Sequence, residues 1–120
     1  MRRLIAPFFV FAAFAAGLPA CHVEQLDEHP CPTGGTTLTY ESFGRGFFAA
    51  NCDRCHSAPI GSRQGAPIEY SFGTVEAIRP YRARIFADSA GANDSMPPGP
   101  DDPPLAEREK LADWLACGAP

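Results

Sequence analysis

The feature that most constrains this chain is the spacing of Cys52, Cys55 and His56 in the sequence NCDRCHSAP, residues 51–59. Two cysteines separated by two residues, with a histidine directly after the second, are typical of three kinds of site. They form a redox dithiol, half of a zinc site, or a covalent attachment point for haem. Each kind of site makes different demands on the rest of the chain, so the other cysteines and the helix pattern bear on the choice.

The zinc and dithiol interpretations fit the remaining sequence less well. A structural zinc site needs four ligands, usually from two cysteine pairs, but Cys21, Cys31 and Cys117 form no second pair. A redox dithiol is expected at the start of a helix beside a βαβ pattern, whereas this pair follows a predicted helix in a chain without predicted strands. Haem attachment uses every position of the motif, because two thiols bond to one haem edge and the adjacent imidazole reaches the iron.

The first 20 residues have the pattern of an export signal. Two arginines precede an apolar stretch, residues 4–18, which is shorter than the roughly 20 residues of a membrane-spanning helix. The sequence LPAC ends at Cys21 and is similar to a bacterial lipobox, so we predict a lipoprotein signal peptide over residues 1–20 and lipid on Cys21. Pro19 is uncommon in a lipobox, and plain secretion as a soluble periplasmic protein is the alternative.

Charge and composition restrict the partners of the exported chain. The net charge is −4, and removal of residues 1–20 takes away two arginines and no acidic residue. An acidic chain of this kind is not expected to bind nucleic acid, and its charge suits docking to a basic protein face. The chain contains 11 glycines and 13 prolines, which predicts long loops and a thin core. A crosslink, metal or cofactor is therefore expected to help to hold the fold together.

The region before the motif predicts a helix over residues 40–51. Phe43, Phe47 and Phe48 fall on one helical face, and Thr39 is a suitable N-cap.

Gly44 and Gly46 lie inside this predicted helix, where each glycine costs about 1 kcal/mol relative to alanine. A glycine kept at such a position indicates that another backbone or a large ring packs against it.

Two further helical regions are predicted, and no stretch alternates as a strand. Thr74 is a candidate cap for the second region, in which an apolar stripe is interrupted by Pro80; we predict a short turn up to Arg79 and a helix that restarts at Pro80. The third region runs from Pro104 to Cys117. The apolar positions of the second region are Ile78, Tyr81, Ile85 and Phe86. Those of the third region are Leu111, Trp114 and Leu115. The predicted class is all-α with long loops.

Residues 21–38 are polar and rich in turn residues, and they are predicted to be a tether or lead-in to a domain over residues 39–118. The loop NDSMPPGP contains Met96, the only methionine after the initiator. A lone methionine is often core filler, but the polar, proline-flanked loop favours a thioether that is held in place as a sixth ligand for haem iron. His22 and His29 in the lead-in are competing ligands, and solvent-exposed histidines are the simpler interpretation of both.

Residues 40–118 as a whole resemble the small class I c-type cytochromes. The sequence GRGFFAANCDRCH, residues 44–56, is similar to the first helix and attachment site of that family. Gly44 and Phe48 match the glycine and aromatic residue that pack on the last helix in the family, and Trp114 in KLADWLACG matches their aromatic partner. Met96 with the following proline matches the methionine loop of the family.

This resemblance implies three main helices wrapped around one covalent haem c, and electron transfer rather than catalysis by an enzyme. Cys52 and Cys55 are the implied thioether anchors, and His56 and Met96 are the implied axial ligands, a pair that raises the reduction potential relative to two histidines. The partners would be an electron donor and an electron acceptor, both unidentified. The chain would act on the periplasmic side of a bacterial membrane, anchored by lipid on Cys21.

With haem and lipid assigned, Cys31 and Cys117 remain, and a disulfide between them is the simplest outcome in an oxidising compartment. Two free or intermolecular thiols are the alternative. Four arginines are candidates to pair with the haem propionates, and their alternative role is a solvated helix face: Arg63, Arg79, Arg82 and Arg84.

Two other functions remain open. In the first, the protein is a haem-based sensor or ligand-binding protein in which Met96 is displaced. In the second, it is a haem subunit or docking module of a larger dehydrogenase.

Overall fold

A computed structural model describes residues 22–59 and 61–120, so the predicted signal peptide and Cys21 lie outside the described residues. The described part of the chain is helical and contains no strand, which confirms the all-α class. No helix within it is long and apolar enough to cross a membrane. The α-helices are α1 (Arg45–Asn51), α2 (Asp53–His56), α3 (Val75–Ile78), α4 (Arg82–Ser89) and α5 (Leu105–Ala116).

The predicted first helix begins as a π-helical turn, Tyr40–Gly44, and continues as α1. Thr39 caps it as predicted, because its hydroxyl accepts a hydrogen bond from the backbone N–H of Ser42 at 3.1 Å. Phe47 and Phe48 are buried in the core. The apolar spacing therefore positions the helix, and the wider turn at its start is a detail that spacing does not encode.

The second helical region is divided more finely than predicted. Thr74 caps α3, since its hydroxyl accepts from the backbone N–H of Ala77 at 3.3 Å. Pro80 lies in a 3-10 turn, Arg79–Tyr81, and α4 begins at Arg82 rather than at Pro80. The prediction was wrong by two residues because a tighter turn accommodates a proline that cannot donate a backbone hydrogen bond. The stripe residues Ile78, Ile85 and Phe86 are buried.

The core forms where the first helical region meets α5. Leu111, Trp114 and Leu115 are fully buried, and the indole of Trp114 lies against Gly44. A Cβ atom added to Gly44 would lie 2.8 Å from Cζ2 of Trp114, closer than real side chains approach. The expectation of a close-packed ring is thus confirmed for Gly44. It is wrong for Gly46, where an added Cβ would meet nothing within 4 Å.

The lead-in packs on the domain over part of its length instead of hanging free. A 3-10 turn, Leu26–Glu28, contacts both α4 and α5. A disulfide joins Cys31 to Cys117, whose Cα atoms are 4.8 Å apart. This crosslink ties the start of the described chain to the end of α5, and it is the pairing that the cysteine count favours.

Candidate functional site

A cavity of about 380 Å³ lies between α2, α4 and the loops that follow them. It brings together Cys52 and Cys55, the two free thiols of the described residues, with His56 and the distant Met96. A volume of this size is within the range of small-molecule and cofactor sites. The other residues that form its wall are Asn51, Arg54, Arg63, Gln64, Gly65, Ala66, Pro67, Tyr70, Phe72, Arg84, Ile85, Asp88, Ser89, Pro97 and Pro98.

Continuous helical hydrogen bonds hold the motif in register. The backbone N–H of Cys52 donates to the carbonyl of Phe48 at 2.8 Å, which links the motif to α1. The N–H groups of Cys55 and His56 both donate to the carbonyl of Cys52, at 3.0 and 2.9 Å. Cys52 at the start of α2 and Cys55 and His56 within it are therefore held in one short helical segment, and all three line the same cavity.

The electrostatic environment of Cys52 disfavours its thiolate. Burial of the thiol, reinforced by the nearby negative charge of Asp53, raises the pKa of Cys52 to about 12. Burial also raises the pKa of Asp53, against the opposing effect of His56. Redox-active dithiols have a lowered thiol pKa, since the thiolate is the reactive species. Cys52 therefore lacks the lowered pKa that activates the reactive thiol of a redox dithiol.

His56 is oriented by two contacts with the chain after the loop. Its Nδ1 lies 2.8 Å from the backbone carbonyl of Tyr70. Because a carbonyl can only accept, Nδ1 carries the proton and Nε2 keeps its lone pair for a metal. The imidazole also stacks on Phe72, with the ring centres 5.0 Å apart and the planes at 21°. Metal-binding histidines in proteins commonly donate their second N–H in this way.

Arg63 organises the loop that supplies the Tyr70 carbonyl. Its Nε donates to the carbonyl of Ala66 at 3.1 Å, and Nη1 donates to that of Ser57 at 2.8 Å. Its Nη2 donates to the carbonyls of Pro67 and Tyr70, at 2.8 and 3.0 Å. One guanidinium thus binds four backbone oxygens around the cavity wall, including the oxygen that binds His56.

Met96 is fixed by its backbone and by the end of α4. Its N–H donates to the carbonyl of Asp88 at 2.8 Å, and the hydroxyl of Ser95 donates to the same oxygen at 3.1 Å. Arg84 pairs with the carboxylate of Asp88 at 2.8 Å. The side chain of Met96 lines the cavity, although the residue is 42% exposed. The loop therefore presents its only methionine to the cavity that holds the Cys-x-x-Cys-His motif.

The competing histidines lie elsewhere. His22 is exposed and bonds to Glu28, in keeping with the simpler interpretation. His29 differs from it, because its nitrogens bond to Asp113 at 2.9 Å and Glu24 at 3.3 Å. The hydrogen bond with Asp113 has the largest effect on the pKa of His29 and raises it, and the bond with Glu24 acts in the same direction. Burial acts in the opposite direction and is outweighed. Neither histidine lines the cavity.

The four candidate arginines separate into two pairs. Arg79 and Arg82 donate to the carbonyls of Ala119 and Leu115, at 3.1 and 2.8 Å, and so bind the end of the chain. Arg63 and Arg84 line the cavity, where Arg54 joins them.

Sequence reasoning missed Tyr70 and Phe72, which position the imidazole. Their contributions are a backbone carbonyl and a stacked ring, which no residue pattern in the loop reveals. No group of three or more acidic, histidine or cysteine side chains in residues 22–59 and 61–120 is arranged to hold a metal by itself.

The chain matches no protein-family model, no curated protein and no solved structure in the three comparisons.

Proposed function

We propose that this protein is a small c-type cytochrome that carries electrons by means of one covalently bound haem c. The observation that carries the proposal is the convergence of four residues on one cavity: Cys52, Cys55, His56 and Met96. The first three are neighbours in sequence, but Met96 comes from a separate loop beyond α4. Met96 is 42% exposed, whereas a methionine that fills the core would be buried.

The residues of the cavity fit such a group. Cys52 and Cys55 are both unbonded and face the same space, whereas the other described cysteines form a disulfide. His56 has one nitrogen satisfied by the Tyr70 carbonyl and one available. The cavity wall also contains Phe72 and Ile85, which suit the apolar body of a porphyrin.

When bound, haem c supplies an iron that alternates between the ferrous and ferric states and so carries one electron. The chain contributes position and surroundings. Cys52 and Cys55 would hold the group by thioether bonds, and the Tyr70 carbonyl and the ring of Phe72 orient the imidazole of His56. The backbone hydrogen bond of Met96 to Asp88 holds its loop at the cavity, so that its thioether could serve as the second ligand. Ligands held in place before the electron arrives need little rearrangement when it does.

Mass spectrometry of the denatured, exported protein tests the proposal. One haem should stay attached to the wild-type chain, and the double variant Cys52→Ala/Cys55→Ala should lose it. The matched control is Cys31→Ser/Cys117→Ser, which removes two cysteines outside the cavity and should keep the haem. Haem that is extracted by acidic organic solvent from the wild type, or zinc in its place, would contradict the proposal.

The location and partners form part of the same proposal. Lipid on Cys21 would hold the domain at the periplasmic side of a bacterial membrane, where a donor and an acceptor protein exchange electrons with it. Incorporation of labelled fatty acid, lost in Cys21→Ala, tests the anchor and separates it from plain secretion. Co-purification with a dehydrogenase would instead favour a docking module.

A further inference from the structure

The carbonyl oxygen of Tyr70 accepts two hydrogen bonds from different sides. Nδ1 of His56 donates to it at 2.8 Å, and Nη2 of Arg63 donates to it at 3.0 Å. A carbonyl oxygen has two lone pairs, so both bonds can form together. A charged side chain thereby shares an acceptor with the imidazole that faces the cavity.

We propose that Arg63 is the positioning residue for the imidazole of His56, and that it limits how strongly this imidazole donates electrons to a metal. The inference rests on the proposed function, because it requires His56 to be an axial ligand.

The positioning part follows from what else holds the loop. The described residues between Ser57 and Tyr70 form neither helix nor strand, and Gln64 and Gly65 have positive φ angles of 51° and 87°. Backbone polar groups of such a loop need partners that secondary structure would otherwise provide. The guanidinium of Arg63 binds four of its carbonyls, so the position of the Tyr70 oxygen depends on this side chain.

The electronic part follows from the sharing of one oxygen. A hydrogen-bond acceptor on the second nitrogen of a metal-bound imidazole raises the basicity of the ligand. The positive charge of Arg63 draws electron density from the Tyr70 oxygen and makes it a weaker acceptor for His56. A less basic imidazole donates less to the metal, and a nearby positive charge also disfavours the more positive oxidised state. Both effects raise the reduction potential.

Redox titration of the haem-bearing protein tests this inference with Arg63→Gln. Its matched control is Arg79→Gln, which removes the same charge and a guanidinium–carbonyl bond away from the cavity. We expect Arg63→Gln to shift the equilibrium toward the oxidised form about tenfold, or about 59 mV for one electron. Because the Tyr70 oxygen would then be the stronger acceptor for His56, the exchange of the Nδ1 proton, followed by NMR in the reduced form, should become slower. Arg79→Gln should leave both quantities at their wild-type values.

Arg63→Lys separates geometry from charge, since lysine keeps the charge but cannot form the planar fork of four bonds. Its potential and proton exchange should fall between those of the wild type and Arg63→Gln. The inference is overturned if Arg63→Gln behaves like Arg79→Gln, or if Arg63→Lys restores both quantities fully. Where Arg63→Gln does not retain haem, the Arg63→Lys measurement decides between the same two outcomes. A wild type without covalent haem refutes the proposed function itself, which is a separate result.

Discussion

Replacing Gly44 with alanine tests the contact that brings the first helical region onto α5. The new Cβ would lie 2.8 and 3.0 Å from the Cζ2 and Cη2 atoms of Trp114, and 3.0 Å from Cδ2 of Tyr40. Trp114 is fully buried, so its rigid ring cannot turn aside into solvent. Overpacking of this kind costs about 1–3 kcal/mol, while alanine in a helix gains about 1 kcal/mol over glycine. We expect a net loss of up to about 2 kcal/mol in the free energy of unfolding.

Gly46→Ala is a matched control for this experiment. It makes the same chemical change two residues further on, at an exposed position where the new Cβ meets nothing within 4 Å. Only the helix propensity remains there, so this variant should be stabilised by up to about 1 kcal/mol. Urea unfolding of both variants with the disulfide intact, followed by circular dichroism, should therefore give changes of opposite sign. Equal changes in the two variants, or a stabilised Gly44→Ala, would refute the packing argument.

Three further results are expected. Met96→Ala should keep its covalent haem but lose the weak sulfur-to-iron absorption band of the oxidised form. Its reduction potential should be lower, and it should bind carbon monoxide. An unchanged spectrum and potential would assign the sixth ligand position of the iron to another residue. Cys31→Ser/Cys117→Ser should lower stability in urea by at most about 4–5 kcal/mol for a separation of 86 residues, and free thiols in the wild type on peptide mapping would contradict it. Hydrogen bonding with Asp113 raises the pKa of His29 above its ordinary value of 6.5 in the folded chain. The stability that the protonated His29 contributes is therefore complete below pH 6.5 and is lost as the pH rises through the raised pKa. The urea midpoint of the wild type should fall over that pH range, and the midpoint of His29→Gln should not.

The helices were predictable because apolar spacing and caps act over a few residues. Thr39 and Thr74 cap the helices that follow them, and the burial of Phe48 and Trp114 agrees with the apolar stripes of their helices. A glycine inside a helix indicates a close neighbour, and this expectation is confirmed at Gly44 but wrong at Gly46.

The wall of the candidate site could not be predicted in the same way. The Tyr70 carbonyl belongs to the backbone, and any residue at that position would supply one. The four bonds of Arg63 depend on the path of an irregular loop, which local propensity does not determine. His29 looked like a solvated residue because its partner Asp113 is far away in sequence, on α5. Contacts that depend on tertiary folding leave no local pattern to read.

The core and the candidate site are joined through Phe72. Its ring packs edge-on against Phe48 at 5.7 Å, and Phe48 in turn packs against Trp114 at 6.1 Å. Phe72 also stacks on the imidazole of His56, with the ring centres 5.0 Å apart. A line of aromatic contacts therefore runs from Trp114 on α5 to the imidazole that faces the cavity.

The line of aromatic contacts allows a change in the core to affect His56. A change at Gly44 that displaces Trp114 acts first on the core, yet it can reach His56 through Phe48 and Phe72. Met96 has no part in that line, because it is held by the Asp88 carbonyl at the end of α4. Core variants should therefore disturb the histidine side of the site before the methionine side. The surroundings of the two proposed ligands are thus set by different parts of the fold, one by the aromatic core and the other by the end of a helix.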